Sequence, residues 1–318
     1  MKQRGVALII VLLIVAIVAV LATEMAGRLQ LHLVRSTNIK DNNQAYWYAM
    51  GAEQYAKKTI SQLIQQKDPI DSTQPWAQED ITFPMPNGGI QATLEDLRAC
   101  FNLNGLFRDQ GNNQKTDEIR AFRNLLGQED NFNIPSYNAD IIRDALVDWL
   151  DEDSIPFGSY GAEDPEYESL VPPYIAANGL MTNKSELRLV KGIEPKWLPD
   201  LLPLLCVIPN ETELKINVNT LTPEKAPLLA GLTGMSIADA ENVISNIPYE
   251  DISSFLSDSA IAAAGLTAEQ QKWFVTETEY FILHVKSSYN DATFSMSTKF
   301  RVENESVSVI GREFGGKL

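Results

Sequence analysis

The sequence predicts an α+β fold in which one long N-terminal helix packs on an antiparallel sheet and a large all-α domain is inserted into that sheet. Three observations predict it. An apolar run continues into a proline-free stretch with helical spacing, strand-like alternation is confined to the two ends of the remaining chain, and helical periodicity fills about 170 residues between them.

The helix comes first. From Val6 to Ala22 the chain runs through 17 apolar residues without a charge, proline or glycine, and Thr23 extends the uncharged run to 18. At helical rise this spans roughly 27 Å, close to the hydrocarbon thickness of a bilayer. Lys2 and Arg4 precede it, and the positive-inside preference sends the bulk of the chain to the outer side of the membrane. Three readings of the segment compete: a secretory signal cut after Ala22, a plain single-span anchor, or a five-residue leader ending at Gly5 and cleaved before Val6. The residues beyond the span favour the third. No proline occurs until Pro69, and apolar residues recur at Leu29, Leu33, Ala45, Ala49, Ala52, Ala56, Ile60 and Leu63. One helix over residues 6–66 follows, roughly 90 Å long if unbroken, and the 29–63 face is the candidate for assembly contacts or for packing on the protein's own sheet.

Residues 69–89, with Pro75, Pro84, Pro86 and Asn87-Gly88-Gly89, read as loop and turn. Residues 90–95 alternate apolar and polar and 98–104 do so less cleanly, which predicts an early strand pair. Three further strands are predicted at 279–287, 293–302 and 306–312, separated by Asn290-Asp291 and Asn304-Glu305 turns. Between the strand groups, helices are predicted at 116–126, 139–150, 185–190, 195–205, 222–232, 236–246 and 267–276. The division is therefore a leader (1–5), an assembly helix (6–66), an α+β domain (67–105 and 277–318) and an inserted helical domain (106–276).

Composition excludes several functions. The 318 residues hold 26 Lys plus Arg against 42 Asp plus Glu, a formal charge of −16, which opposes binding to a phosphate backbone. Two cysteines and two histidines are too few for zinc fingers or iron–sulfur centres. His32 lies on the long helix and His284 in a predicted strand, with no nucleophile elbow or phosphate loop, so no catalysis is expected.

Ordered motifs then carry a resemblance. They are residues 44–56 (QAYWYAMGAEQYA), 96–106 (DLRACFNLNGL), 148–153 (DWLDED), 161–164 (GAED), 185–192 (SELRLVKG) and 216–221 (INVNTL). Together with the short basic leader they resemble the K-type minor pseudopilin of the bacterial type II secretion system. Most type IV pilin-like proteins carry Glu as the fifth mature residue; here that position is Ile10, and K-type chains characteristically lack the Glu. The resemblance implies a type IV pilin-like fold with a large helical insertion. It also implies cleavage by the prepilin peptidase after Gly5, N-methylation at Val6, and a single-pass inner-membrane protein with its C-terminal domain in the periplasm. A carboxylate in a lipid-facing helix needs a partner, and a subunit without it has nothing to offer a neighbour above. The implied place is the tip of the pseudopilus, beside I-type and J-type minor pseudopilins and above the H-type, with Leu29 and Leu33 in the assembly face. Secreted substrate or the outer-membrane secretin would meet the bulky insertion. Within it, Asn217-Val218-Asn219-Thr220 before a helix resembles helix-hairpin-helix or SAM-like modules, but the acidic balance argues against nucleic acid.

From Asp144 to Asn183 there is no Lys or Arg, while nine carboxylates crowd the segment. Like charge at that density needs solvent or a cation to screen it. Asp151-x-Asp153 opens like an EF-hand loop, but Ile155 and Pro156 break that pattern. Composition alone leaves a solvated acidic loop as the simpler reading. The resemblance implies calcium in the inserted domain, and Asp151, Asp153, Glu163 and Asp164 are the candidate ligands. Cys100 and Cys206 are the only cysteines, and an outward topology places both where disulfides persist. A bridge is expected, with two buried thiols as the alternative. The competing function is a secreted periplasmic calcium-binding protein released by cleavage after Ala22.

Overall fold

The computed structural model describes residues 4–66, 69–78, 80–108 and 115–315, with backbone alone at Arg4, Gly5, Glu129 and Asp130. Residues 1–3 of the expected leader lie outside the described residues. Helix α1 runs unbroken over Arg4–Gln66, 63 residues or about 94 Å. Its apolar run is exposed along its whole length, as a lipid-facing segment is when the protein is drawn without its membrane.

From Asp41 onward α1 becomes one-sided. Asp41, Ala45, Ala49, Ala52, Glu53, Ala56, Ile60 and Leu63 are buried at three- and four-residue spacing. The alanines let the backbone of a sheet lie close against the helix. That sheet has five strands in the order β1-β2-β7-β8-β9, all antiparallel: β1 (Ile81–Met85), β2 (Gly88–Asp96), β7 (Tyr280–Tyr289), β8 (Ala292–Glu303) and β9 (Ser306–Phe314). Phe281, Leu283 and Val285 of β7 alternate onto the α1 side, and Tyr280, Ile282 and His284 onto the other. The three C-terminal strands were legible because Asn290, Asn304 and Glu305 take the positive φ their tight turns require.

The early strand pair differs from expectation. The partner of β2 is β1, which lies inside the proline-rich stretch read as loop. β1 is an edge strand, so Pro84 forfeits no ladder hydrogen bond to an inner neighbour. Residues 98–104 turn away from the sheet instead and contribute β3 (Phe101–Asn102), which pairs in parallel with β4 (Leu205–Cys206).

The inserted domain holds α2 (Thr116–Leu126), α3 (Glu129–Phe132), α4 (Ser136–Leu150), α5 (Asp164–Glu168), α6 (Leu198–Leu201), α7 (Ala226–Thr233), α8 (Ile237–Ser245), α9 (Ile252–Leu256), α10 (Ser259–Ala264) and α11 (Ala268–Gln271). A short parallel pair, β5 (Ile216–Asn217) with β6 (Phe274–Val275), closes it. Expected helices 195–205 and 267–276 are shorter because each ends in one of these strands, and 185–190 is a 3₁₀ turn. Its core is continuous from Phe101 to Phe274 and separate from the one under α1. Gly231 allows its tightest crossing: a side chain there would collide with the Leu125 backbone, so α7 lies directly on α2.

The insertion leaves the sheet after Asp96 and returns at Tyr280. That end of the sheet meets the C-terminal part of α1, whereas the opposite end is held near Asp41 by Asn290, Nδ2 to Oδ2 at 3.1 Å. The insertion therefore caps the end of the molecule farthest from the apolar run.

One ion pair fixes the rotation of α1 on the sheet. Arg312 donates to both oxygens of the fully buried Glu53, Nε at 2.6 Å and Nη2 at 2.8 Å, and Thr298 Oγ1 donates at 3.0 Å. The Arg312 hydrogen bond, against the opposing effect of burial, holds the Glu53 carboxyl below its ordinary value of 4.5. The stability this supplies is complete above the unfolded value and is lost as pH falls through the lowered folded one. Arg312→Met, which leaves the buried carboxylate with only neutral donors, Thr298 and a long contact from Gln54, is expected to cost about 3 kcal/mol near pH 7. The deficit should narrow below about pH 4. Urea denaturation at the two pH values, followed by tryptophan fluorescence, measures both.

Candidate functional site

The acidic segment wraps the C-terminal half of α4. Asp144, Asp148 and Asp151 stand at i, i+4 and i+7, so all three lie on one helical face, and all are buried. Two of them are anchors for the following loop. Asp148 accepts from the amides of Phe157, 2.7 Å at Oδ1, and Ala162, 2.6 Å at Oδ2. Asp144 accepts from the amides of Ser159 and Tyr160, both at 3.2 Å, while Arg143 pairs with its other oxygen. Gly158 and Gly161 permit the approach, since a side chain at either would strike the Asp144 or the Asp148 carboxylate.

The loop brings Glu163 back over this face. Its side chain is buried, and neither carboxylate oxygen has a hydrogen-bond partner among the described residues. Asp151 Oδ2 pairs with Arg108 Nη2 at 3.0 Å, but Asp151 Oδ1 is also buried without a partner. Oxygens of Asp148, Asp151 and Glu163 lie within 4.8 Å of one another. Burial, reinforced by the neighbouring carboxylates, pushes the Asp148 carboxyl up to about 6 and that of Glu163 up to about 7, and burial raises Asp151 as well. Three crowded acids, two of them with orphaned oxygens, and one arginine among them form a set of hard oxygen donors that suits a divalent cation such as calcium.

Of the four expected ligands, Asp151 and Glu163 come together. Asp153 and Asp164 lie outside the cluster and shape its loops: Asp153 Oδ1 accepts from the Ile155 amide at 2.8 Å, and Asp164 Oδ1 from the Ala176 amide at 3.0 Å. Both add to the field that raises Glu163. Asp148 was missed, although its spacing of three from Asp151 on a helix placed it on the same face. Asn178 carries a further buried, partnerless oxygen, and its neighbour Gly179 donates to the Trp149 carbonyl at 3.4 Å.

The two cysteines are bridged, with Cα atoms 5.8 Å apart and a separation of 106 positions in the sequence. The bridge is buried with Leu97, Ile208 and Tyr280 where the sheet passes into the insertion. The Asn217–Thr220 motif lies beside it, and Asn217, Asn219 and Thr220 are all buried in hydrogen bonds within the chain, so they offer nothing to a phosphate. His284 stands between Glu95, 3.9 Å from Nε2, and Ser297, 2.8 Å from Nδ1, on the sheet face away from α1. The strand register places the three there as cross-strand neighbours. Leu29 and Leu33 are exposed on α1, as is Ile10 in the apolar run, whereas the alanine row of the expected assembly face is spent on the protein's own sheet.

Residues 99–210 and 216–277, together more than half of the chain, match the family described as type II secretion system (T2SS), protein K. The chain belongs to that family. The type II secretion system protein K of Klebsiella pneumoniae is 33% identical over 99% of this chain and 97% of its own length. That of Aeromonas hydrophila is 38% identical over 78% of this chain and 77% of its own. Among solved structures, a chain from the crystal structure of the GspK-GspI-GspJ complex of the enterotoxigenic Escherichia coli type 2 secretion system is similar, with a TM-score of 0.78 and 28% identity over 89% of this chain and 99% of that one. The chain is thus a minor pseudopilin of the type II secretion system. None of these relatives supports a secreted calcium-binding protein.

The disulfide closes a long loop between the two parts of the fold. Replacing Cys100 and Cys206 by serine is expected to lower stability by about 4 to 5 kcal/mol in the chain-entropy account. Guanidinium denaturation of the oxidised protein and the double variant measures the difference.

Proposed function

We propose that the chain caps the tip of the pseudopilus and starts its assembly, for export of folded proteins across the outer membrane. The observation that carries this reading is the placement of the insertion on the end of the sheet farthest from the membrane-spanning run, where it obstructs any subunit stacked beyond. Ile10 fits the same place, because it withholds the carboxylate that a subunit above would meet. The likeness to a chain solved with GspI and GspJ supports I-type and J-type pseudopilins as its partners, with the H-type below. The prepilin peptidase cuts between Gly5 and Val6, Val6 is N-methylated, α1 crosses the inner membrane once, and the rest lies in the periplasm. There the insertion faces secreted substrate or the secretin. N-terminal sequencing of the mature protein from cells carrying the secretion system should read Val6, and its mass should carry one methyl group. A mature start at Thr23 would overturn the proposal.

Calcium is the cation proposed for the acid cluster. Asp151 and Glu163 hold it with their partnerless oxygens and Asp148 helps, while the ion supplies the positive charge that lets these carboxylates ionise inside the fold. Calorimetric titration should show binding to the wild type. Asp151→Asn and Glu163→Gln should each abolish it, and Glu163→Gln should leave the calcium-free protein as stable or more so, because it removes a buried, repelled charge that has no partner among the described residues. Heat of binding that survives both substitutions would place the ion elsewhere.

The sign of the pH dependence follows from the raised carboxyls. Protons compete with the cation, so calcium affinity should weaken as pH falls through about 7 and then about 6. Without calcium, the folded state holds protons that the unfolded chain releases, so stability should fall as pH rises over the same range. Saturating calcium should remove that fall. Thermal unfolding across pH with calcium or with chelator checks both.

A further inference from the structure

Among the described residues, Arg108 is the one cation paired with an acid of the cluster. It comes from the segment after the 3₁₀ turn at Leu103–Leu106, 43 positions before Asp151. Two contacts fix its place. Nη2 meets Asp151 Oδ2 at 3.0 Å, and the guanidinium lies 4.6 Å over the Phe157 ring. Phe157 is also the residue whose amide holds Asp148 Oδ1 at 2.7 Å, so one loop residue positions both an acid of the cluster and the cation that faces it. Arg108 Nε is buried and has no partner among the described residues. An arginine placed for stability alone would spend that donor, because a buried N–H left unpaired is costly.

Charge decides what this pairing does. Asp144 has its own counter-ion in Arg143 at 2.6 Å, while Asp153 and Asp164 are half-buried, where water screens them. Ionised Asp148, Asp151 and Glu163 facing Arg108 therefore leave two negative charges uncompensated inside the fold. That is the charge of a divalent cation.

We infer that Arg108 sets the valence of the ion this cluster takes, matching the site to a divalent cation and limiting how tightly it is held; the inference rests on the calcium reading above. Affinity at oxygen-ligand sites follows the number of ligand charges and the rigidity of the site. Arg108 acts on both, in opposite senses. By pairing with Oδ2 it fixes how Asp151 offers Oδ1, and orientation of a ligand in this way commonly contributes about ten- to hundredfold in affinity. By its charge it repels the cation from across one carboxylate, and inside a protein that repulsion is the larger effect. The repulsion grows with the charge of the ion, so a trivalent ion is penalised more than a divalent one.

The test uses the full-length chain in detergent, titrated with calcium by calorimetry and with terbium, a trivalent ion of similar size and the same preference for oxygen, by its luminescence. Arg108→Gln removes the charge and keeps a donor for Asp151. It should tighten calcium about tenfold or more and raise the ratio of terbium to calcium affinity by about tenfold or more as well. Arg108→Lys keeps the charge and should keep the wild-type ratio. In chelator Arg108→Gln should melt below the wild type, because a buried carboxylate has lost its counter-ion, and calcium should close the gap. Displacement of calcium by terbium from the loaded protein gives the same ratio for a variant that folds only with metal. Calcium affinity that Arg108→Gln weakens or leaves unchanged, at an unchanged ratio, means an arginine that only orients Asp151; it overturns the inference and spares the calcium reading. A wild-type chain that binds no calcium overturns both.

Discussion

Asp96 sits wholly buried at the end of β2, where the sheet hands the chain to the insertion, and it gathers donors from every part that meets there. Its Oδ1 accepts from the Arg98 amide at 2.7 Å, and its Oδ2 from Asn217 Nδ2 at 2.9 Å and Thr220 Oγ1 at 2.8 Å. Thr278 donates as well, from the segment that returns to β7. Burial raises this carboxyl, and the four donors oppose that rise. A buried network of this kind specifies geometry because any displacement leaves several polar groups unpaired at once. Asn217 also donates to the Ile70 carbonyl, and the Ser72 amide to the Asn219 carbonyl, so the chain leaving α1 is braced by the same motif. Helix, sheet and cap thus share one fixed point.

The junction is reinforced by two further devices of different chemistry. Arg98, almost fully buried, lies between Glu279 at 3.2 Å and Glu211 at 3.5 Å, with its guanidinium 5.0 Å over the Tyr280 ring. The disulfide lies next to it. A cap held so firmly moves with α1, so the place of α1 in an assembly sets the place of the cap. That property suits a subunit whose task is to occupy an end. The acid cluster works on another scale, inside the cap, closing the loop after α4 upon that helix by amide-to-carboxylate bonds. Its uncompensated charge is local, and the −16 of the whole chain overstates how acidic the rest of the surface is.

Much of the fold was legible because its signals are local. The apolar run, the proline-free continuation and the asparagine-marked turns each need only their own neighbours, and α1, β7, β8 and β9 lie within a few residues of expectation. β1 was hidden because Pro84 breaks strand propensity, and only the edge position makes it harmless. At the acid cluster, charge density points to the segment that holds Asp151 and Glu163, but density cannot separate a carboxylate that shapes a loop from one left bare. Asp153 spends one oxygen on the amide of Ile155, two residues away, and Asp164 one on that of Ala176, twelve residues away. Which oxygens remain orphaned depends on the loop's path, and that path is fixed by Asp144 and Asp148, whose roles a linear reading does not show. The buried role of Asn217 was illegible for the same reason: its partners Ile70 and Asp96 are 147 and 121 residues away.

The two sides of α1 show how one helix divides its surface. Alanines on the covered row bring the sheet close, and Glu53 among them is affordable only because Arg312 and Thr298 reach it. On the open side Trp47 and Tyr55 leave most of their surface in water, where they give up hydrophobic stabilisation that burial would supply. One side of α1 is therefore spent on the sheet, while the other keeps its aromatic side chains largely in water.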